Sequence, residues 1–425
     1  MPLKPDVGLL ISLVLKGYSC QQQDCAFDRK VTKNNRRFRT IKRLWTCEYF
    51  KMENSGKVVS NRREELDALR GIAAVVVLLH HVHWMWPPPW VLPDSLLLHT
   101  PLRMIATGRA PVLFFFVLSG YVLTLAVQRR KSFRMMDWYW RRTLRLCLPI
   151  AAGLLLSLLL YQICRHHPIS HQLNPFFWRA QWGQAPTWED WFEETTLLGD
   201  VTGQGYPLDA AVWSLTHEWR ISLLLPLAVI WRRVWIPTIL VSAIVSMVLI
   251  FSGEVAPDVT LGRGVLNGLA ATLYFILFFA AGYALAVSGA RLPKGRGIRI
   301  AAWLAVFAGC SIGRDSVVLV GACALILLVS DPASRSSRLL RGGIWQELGK
   351  ISYSLYITHL PVFLAVVAWF GLFMPPLEVA GLSVVSAILV ATVFFWLVEM
   401  PAHRLSQFHR KTIPRPALGG DMSSS

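Results

Sequence analysis

The sequence predicts an all-α, polytopic membrane protein with about ten transmembrane helices. The chain has 425 residues, of which 54% are hydrophobic and only 16% are charged, whereas soluble domains average about 25% charged residues. Long apolar runs recur along it, and a helix needs about 20 apolar residues to cross a bilayer. A net charge of +18 would suit nucleic-acid binding, but no recognition motif accompanies it and the basic residues lie between the apolar runs.

Ten apolar runs have the character of membrane spans. They lie at 68–86, 108–127, 144–164, 211–231, 235–252, 265–288, 299–313, 316–330, 351–373 and 377–398. The seventh and eighth runs are short, and only Gly313, Arg314 and Asp315 separate them. A single re-entrant hairpin is therefore the alternative for this pair.

The charges of the loops support this count. Loops rich in Lys and Arg alternate with loops that are poor in both, and cytosolic loops carry the basic excess. The alternation places both termini in the cytosol. Residues 63–402 are the predicted membrane domain, between a polar segment at 1–62 that we expect to be poorly ordered and a cytosolic tail at 403–425.

The long loop at 165–210 lies on the side with few basic residues and combines aromatic with acidic side chains. These are Trp178, Trp182, Glu189, Asp190, Trp188, Trp191, Glu193 and Glu194. Aromatic rings can stack on sugars while carboxylates bond their hydroxyls, so the loop suggests carbohydrate binding. The alternative is an aromatic belt at the membrane interface, where Trp is enriched in any case.

Titratable side chains inside a span are functional candidates because they are costly in hydrocarbon. In the first span, Arg70 and His81 are eleven residues apart, which is close to three helical turns and roughly 16 Å along the axis. An arginine at the cytosolic mouth suits an anionic donor, and a deep histidine suits proton transfer from a hydroxyl. A snorkelling arginine and an interfacial histidine are the structural alternative.

The fourth span carries Glu218 with His217 beside it and with Ser214 and Ser222 one turn to either side. A buried carboxylate next to a histidine could orient the imidazole or hold a proton. Pairing with Arg220 would instead make it a structural ion pair. We predict a catalytic role for Glu218.

Polar residues form a stripe along the ninth span. Ser352, Tyr356 and His359 follow i, i+4, i+7 spacing, and Tyr353 adjoins them. Such a stripe must face protein or a wet cavity and not lipid. We predict that His359 is catalytic and that the other three residues contact substrate together with Trp213, although helix packing would also explain His359.

Three arginines begin the third span on the predicted donor side. Arg141, Arg142 and Arg145 could bind donor phosphates, but the rule for cytosolic basic residues explains them equally well. In the second span, Ser119 and Gly120 are interpreted as packing residues that let helices approach closely.

Six motifs follow one another between Arg63 and Leu405. They are LDALRGIAAVVVLLHH, FFFVLSGYVL, RRTLRLCLP, WSLTHEW, ISYSLYITH and VEMP. In this order they resemble the acyltransferase 3 family of membrane-bound acyltransferases. The resemblance implies ten spanning helices in a bacterial inner membrane. It also implies transfer of acetyl or a related group from coenzyme A to carbohydrate, commonly an exopolysaccharide, cellulose, O-antigen or another cell-surface polysaccharide.

The resemblance also implies site residues. The family's arginine and histidine pair maps onto Arg70 and His81, which have the family's ten intervening residues, and its fourth-span glutamate maps onto Glu218. Many members have Phe-Tyr where this chain has Ile221 and Ser222, so a role for that tyrosine is not carried over.

These observations predict an acyltransferase that uses acyl-coenzyme A as donor substrate, with no permanently bound cofactor and no metal. Its partners would be a carbohydrate acceptor, the bilayer and a polysaccharide synthesis or export complex. A proton-coupled transporter is the main alternative, because buried Glu and His residues also form proton relays. A non-enzymatic scaffold in an export complex is a third.

Overall fold

A computed structural model describes most of the membrane domain. The described residues are 64–86, 99–129, 134–167, 173–198, 200–201, 205–230, 232–251, 262, 264–331 and 334–408. The predicted N-terminal segment at 1–62 lies outside them, as does the tail from 409 onward. Residues 403–408, predicted as the start of the tail, are helical.

Every regular element of the described residues is helical. The α-helices are α1 Glu64–Met85, α2 Arg103–Thr107, α3 Arg109–Gln128, α4 Met135–Cys164, α5 Pro175–Arg179, α6 Trp188–Thr196, α7 Val212–Ile230, α8 Arg232–Phe251, α9 Gly264–Ser288, α10 Arg296–Ile312, α11 Asp315–Val329, α12 Arg335–Leu340, α13 Gly343–Phe370, α14 Pro376–Phe394 and α15 Met400–Phe408. A π-helical turn, Phe395–Glu399, joins α14 to α15.

The all-α fold class is confirmed. Each of the ten predicted spans overlaps a helix, and six helical stretches of the described chain are long and apolar enough to cross a membrane: α1, α3, α4, α9, α13 and the continuous stretch from α14 into α15. The predicted count of ten spans stays a prediction. The short seventh and eighth runs form two separate helices, α10 and α11.

Helices α1 and α13 meet at a pair of glycines. A Cβ added to Gly71 would lie 2.6 Å from the backbone nitrogen of Gly349, and one added to Gly349 would lie 2.5 Å from the carbonyl oxygen of Asp67. Small residues of this kind allow membrane helices to approach at backbone distance. The contact fixes α1 against α13, which is the most completely buried of the six membrane-crossing helices.

Helices α3 and α9 cross in the same way. Gly120 lies against the backbone of Phe279, and Gly282 lies against the backbone of Val117 and Tyr121. The interpretation of Gly120 as a packing residue therefore agrees with the structure. Helix α3 also packs beside α7, the helix that carries Glu218.

Candidate active site

Two histidines from different helices are hydrogen-bonded inside the bundle. His81 of α1 lies with its Nδ1 3.1 Å from Nε2 of His359 in α13, and the ring centroids are 4.9 Å apart. Each histidine follows its helix's contact glycine by ten residues, from Gly71 to His81 and from Gly349 to His359. Because the offsets are equal, α1 and α13 run parallel and the glycine contact sets the register of the pair.

The hydrogen bonds assign the protons on both rings. Nδ1 of His359 lies 3.0 Å from the carbonyl oxygens of Leu355 and Tyr356, which can only accept, so this nitrogen carries the proton. Nε2 of neutral His359 then accepts from Nδ1 of His81, which also lies 3.0 Å from the carbonyl of Val77. The lone pair of His81 therefore lies on Nε2, where no described residue is bonded to it.

The neighbouring His80 has a different environment. Its Nδ1 lies 2.8 Å from the carbonyl oxygen of Ile105, and its ring stacks on Trp84 at 6.3 Å. It also packs against Gly108, the residue between α2 and α3. His80 therefore fastens the short helix α2 to α1, while His81 faces α13.

Glu218 of α7 belongs to an ion pair with the third predicted span. Its Oε1 accepts from Arg142 Nη2 at 2.5 Å and from Ser119 Oγ at 2.9 Å. Arg142 Nε also donates to Ser222 Oγ at 3.1 Å. The network joins α3, α4 and α7 and is not hydrogen-bonded to either histidine of the pair.

Arg220 does not pair with Glu218, so the alternative of an ion pair between these two residues is wrong. Arg220 donates to the carbonyl oxygens of Gly268 and Leu198 and to the hydroxyl of Thr272. His217 likewise faces α9, where its Nδ1 lies 2.9 Å from Thr272 Oγ1. Successive helical residues point about 100° apart, so Glu218 and His217 contact different neighbours.

The predicted donor-binding arginines differ in their partners. Arg70 is bonded to Asp67 at 3.2 Å, and Arg142 is held by Glu218. Arg145 is exposed, and its guanidinium lies within electrostatic range of Arg70, Arg142 and Glu399. Nε of Arg141 is buried without a hydrogen-bond partner among the described residues. The cationic groups are thus concentrated between α1 and α4.

The predicted substrate-contact residues mostly bond to protein. Tyr356 OH lies 2.7 Å from Ser214 Oγ, Tyr353 OH donates to the carbonyl of Leu146 at 3.0 Å, and Ser352 Oγ donates to the carbonyl of Gly349 at 2.9 Å. Trp213 packs on Phe275, with centroids 5.7 Å apart. Of these, Tyr356 lies nearest the histidine pair, 6.1 Å from His359 between ring centroids.

Among the hydrogen-bonded contacts between helices that sequence reasoning missed are those of Ser119 and Glu399. Ser119, interpreted as a packing residue, also donates to Glu218. Glu399, in the π-helical turn, accepts from the backbone nitrogen of Ser354 at 3.1 Å and from its hydroxyl at 2.5 Å. In the structure, the π-helical turn draws attention to Glu399, because such turns often mark functional sites. Hydropathy alone does not reveal a π-helical turn, so this signal is absent from the sequence pattern.

The loop with aromatic and acidic residues folds into the helices α5 and α6 against α4. Trp182 Nε1 donates to Ser157 Oγ at 3.1 Å, and Trp191 Nε1 donates to the carbonyl of Ala151 at 2.9 Å. These two indoles fasten the loop to α4, so they are not the exposed stacking surfaces that a sugar-binding loop would need. Trp188 is the exposed indole, with 65% of its surface accessible.

Three carboxyls in this loop are buried, those of Glu194, Asp200 and Asp209. Glu194 accepts from the backbone nitrogen of Leu208, and Asp209 accepts from that of Ala211. Burial raises the pKa of the Glu194 and Asp209 carboxyls well above their usual values. Each of these two groups accepts a backbone hydrogen bond within the loop and so stabilises its fold.

The candidate site is thus a histidine pair inside a helical bundle, with arginines grouped to one side. The chain belongs to the acyltransferase 3 family, since the family's acyltransferase-domain model matches residues 63–398. This confirms the resemblance seen in the motifs.

Two O-acetyltransferases are among its relatives. The peptidoglycan O-acetyltransferase OatA of Listeria monocytogenes is 22% identical over 371 residues, covering 80% of this chain and 55% of the relative. An O-acetyltransferase of Phomopsis amygdali is 28% identical over 196 residues, covering 38% of each chain. The chain thus spans about half the length of these relatives or less. No solved structure shows significant similarity to it.

Proposed function

We propose that the protein is a membrane O-acetyltransferase that moves an acetyl group from acyl-coenzyme A to a hydroxyl of a carbohydrate. The hydrogen-bonded pair of His81 and His359 carries this proposal, because it leaves the Nε2 lone pair of His81 available as a base. Family membership and the O-acetyltransferase relatives support the reaction type.

In the proposed reaction, His81 acts as the general base. Its Nε2 takes the proton of the acceptor hydroxyl as the hydroxyl oxygen attacks the thioester carbonyl carbon. The carbon–sulfur bond then breaks, and the imidazolium returns the proton to the leaving thiolate, giving an ester and free coenzyme A. Transient acylation of His81 is the alternative course.

His359 is the positioning residue in this scheme. By accepting from Nδ1 of His81, it fixes the tautomer that leaves Nε2 basic, and two backbone carbonyls fix His359 in turn. We propose that it also stabilises the positive charge that develops on His81.

The donor would bind at the cationic end of the site. Arg70 and Arg145 are the best placed to meet the phosphates of coenzyme A, with Arg141 beside them. Arg142 would act together with Glu218, which holds its guanidinium in place. The loops rich in Lys and Arg would face the cytosol, so the donor would enter from there, and we propose a cell inner membrane with both termini cytosolic.

Replacing His81 tests the function. His81→Ala should lower acetyl transfer by about 10²–10⁴-fold, the usual contribution of general acid–base catalysis. The measurement is alkali-labile acetate on the glycans of cells that make the protein, together with coenzyme A release from acetyl-coenzyme A in proteoliposomes.

His80→Ala is the matched control, because His80 is bonded to Ile105 and not to His359. It should retain most of the activity. Full transfer by His81→Ala would overturn the assignment of the base, and wild-type protein that consumes no donor while moving protons would favour the transporter.

A further inference from the structure

A polar cleft lies between α5 and α6, away from the histidine pair. Its volume is about 320 Å³, which is within the range of small-molecule sites. Its lining includes polar side chains from the turn after α5 and from α6: Arg179, Gln181, Gln184, Glu189, Asp190 and Glu193.

Gln181 is the unusual member of this lining. Its side chain is 1% exposed, yet neither Oε1 nor Nε2 has a hydrogen-bond partner among the described residues. Leaving such a group unsatisfied costs about 1–3 kcal/mol per donor or acceptor, and buried polar groups are nearly always bonded. Gln181 lines the cleft, and an unpartnered amide, with both donor and acceptor atoms, fits a ligand that carries both, such as sugar hydroxyls or an acetamido group.

The rim of the cleft is held by hydrogen bonds within the loop and carries more negative than positive charge. Asp190 accepts from the backbone nitrogen and hydroxyl of Thr187, and Glu193 accepts from the backbone nitrogen of Val201. Three carboxylates line the cleft against one guanidinium, that of Arg179. This balance disfavours an anionic ligand such as coenzyme A, so we expect a ligand without net negative charge here.

The cleft is connected to the histidine pair through one short helix. Phe177 of α5 is fully buried and packs edge-on against Trp84 at 5.7 Å, and Trp84 lies 6.1 Å from His81 between ring centroids. The backbone of Asn174, just before α5, donates to the carbonyl of Met85 at the end of α1. Packed side chains thus connect the helix at the edge of the cleft to the base.

We propose that this cleft binds a neutral segment of the acceptor glycan, with Gln181 as the residue that recognises its hydroxyl or acetamido groups. The inference rests on the proposed function for its biological meaning. The cleft positions the acceptor and takes no part in the chemistry.

The substitution Gln181→Met tests the proposal because it keeps the side-chain volume and removes both polar atoms. Binding of a chito-oligosaccharide and of a cello-oligosaccharide, both neutral, is followed by tryptophan fluorescence of the whole protein in nanodiscs without acetyl-coenzyme A. Binding of at least one should weaken tenfold or more, while thermal stability should stay equal or rise because an unsatisfied amide has been removed. Gln162→Met, on an exposed residue of α4, is the matched control and should bind as the wild type does.

Equal binding by Gln181→Met and wild type would overturn the proposal, and so would tighter binding of an anionic oligogalacturonate. Wild-type protein that transfers acetyl but binds neither neutral oligosaccharide would remove this inference and leave the proposed function standing. If the wild type bound the glycan but His81→Ala kept full activity, the proposed catalytic role of His81 would fail and the glycan-binding cleft would stand.

Discussion

The ion pair of Arg142 and Glu218 joins α4 to α7, and a catalytic role for the same carboxylate stays a prediction. The two side chains are only 10% and 20% exposed. Removing one member of a buried pair leaves the other charge uncompensated, which typically costs about 3–5 kcal/mol. A loss of activity in a single Glu218 variant would therefore not distinguish a catalytic role from a structural one, because unfolding alone would cause it.

A double substitution separates the two roles. Glu218→Gln should lower the free energy of unfolding by about 3 kcal/mol, whereas Arg142→Met with Glu218→Met should recover most of that stability but not acetyl transfer. Thermal unfolding in detergent and the acetate assay measure the two quantities.

Glu347→Gln is the control for this pair, since Glu347 is half exposed and pairs with Lys350 one turn away. Such surface pairs contribute about 0–1 kcal/mol. A double variant with full transfer activity would show that Glu218 serves folding alone.

Individual site residues were partly predictable for physical reasons. A titratable group in an apolar run stands out because hydrocarbon penalises it, and this singled out His81, Glu218 and His359. The hydrogen-bond partners of these residues were harder to predict, because contacts between helices depend on how each helix is rotated about its axis. That is why Arg220, close in sequence, was considered as the partner of Glu218 while Arg142, on another helix, was not.

At the scale of helices, the crossing of α1 and α13 determines the geometry of the site. A Cβ at position 71 would meet the backbone of Leu348 and Gly349 at 2.6 Å, and backbone cannot move aside as a flexible side chain can. We therefore expect Gly71→Ala to push the helices apart and to separate His81 from His359.

Gly71→Ala should reduce acetyl transfer by about 10²-fold, the cost of misplacing reacting groups by about 1 Å, while the protein still accumulates in the membrane. The matched change Gly381→Ala, in α14, meets no atom within 4 Å and should leave transfer unchanged. Wild-type activity in Gly71→Ala would mean that the glycine contact does not set the register of the histidines.

Helix positions were easier to predict than helix pairings. Apolar runs identify a helix from local sequence alone, so all ten predicted runs overlap helices. The close approach of Gly71 to Gly349 joins residues far apart in the chain, and nothing in either local pattern names the other. The equal spacing from glycine to histidine has meaning only after the two helices are paired.

At the scale of the whole molecule, the arrangement in the membrane is the main prediction still open to test. The loop with α6 should face the outside and the loop with α12 the cytosol, because the basic loops are expected inside. Trp188 and Leu339 are 65% and 72% exposed in these two places, so both sites are accessible to a reagent.

In a chain whose native cysteines are replaced by serine, Trp188→Cys should react with a membrane-impermeant maleimide on intact cells. Leu339→Cys should react only after the cells are permeabilised. Labelling of both positions from the same side would contradict the odd number of spans that the predicted topology places between them.

The shared spacing of ten residues couples the glycine contact to the histidine contact in the α1–α13 pair. If either helix slid by a single turn, Gly71 and Gly349 would no longer lie opposite each other and the imidazoles would lose contact in the same movement. We therefore expect each molecule with a shifted helix to be fully inactive, so that no molecules of intermediate activity are present. Activity per molecule would then report how faithfully the bundle is assembled.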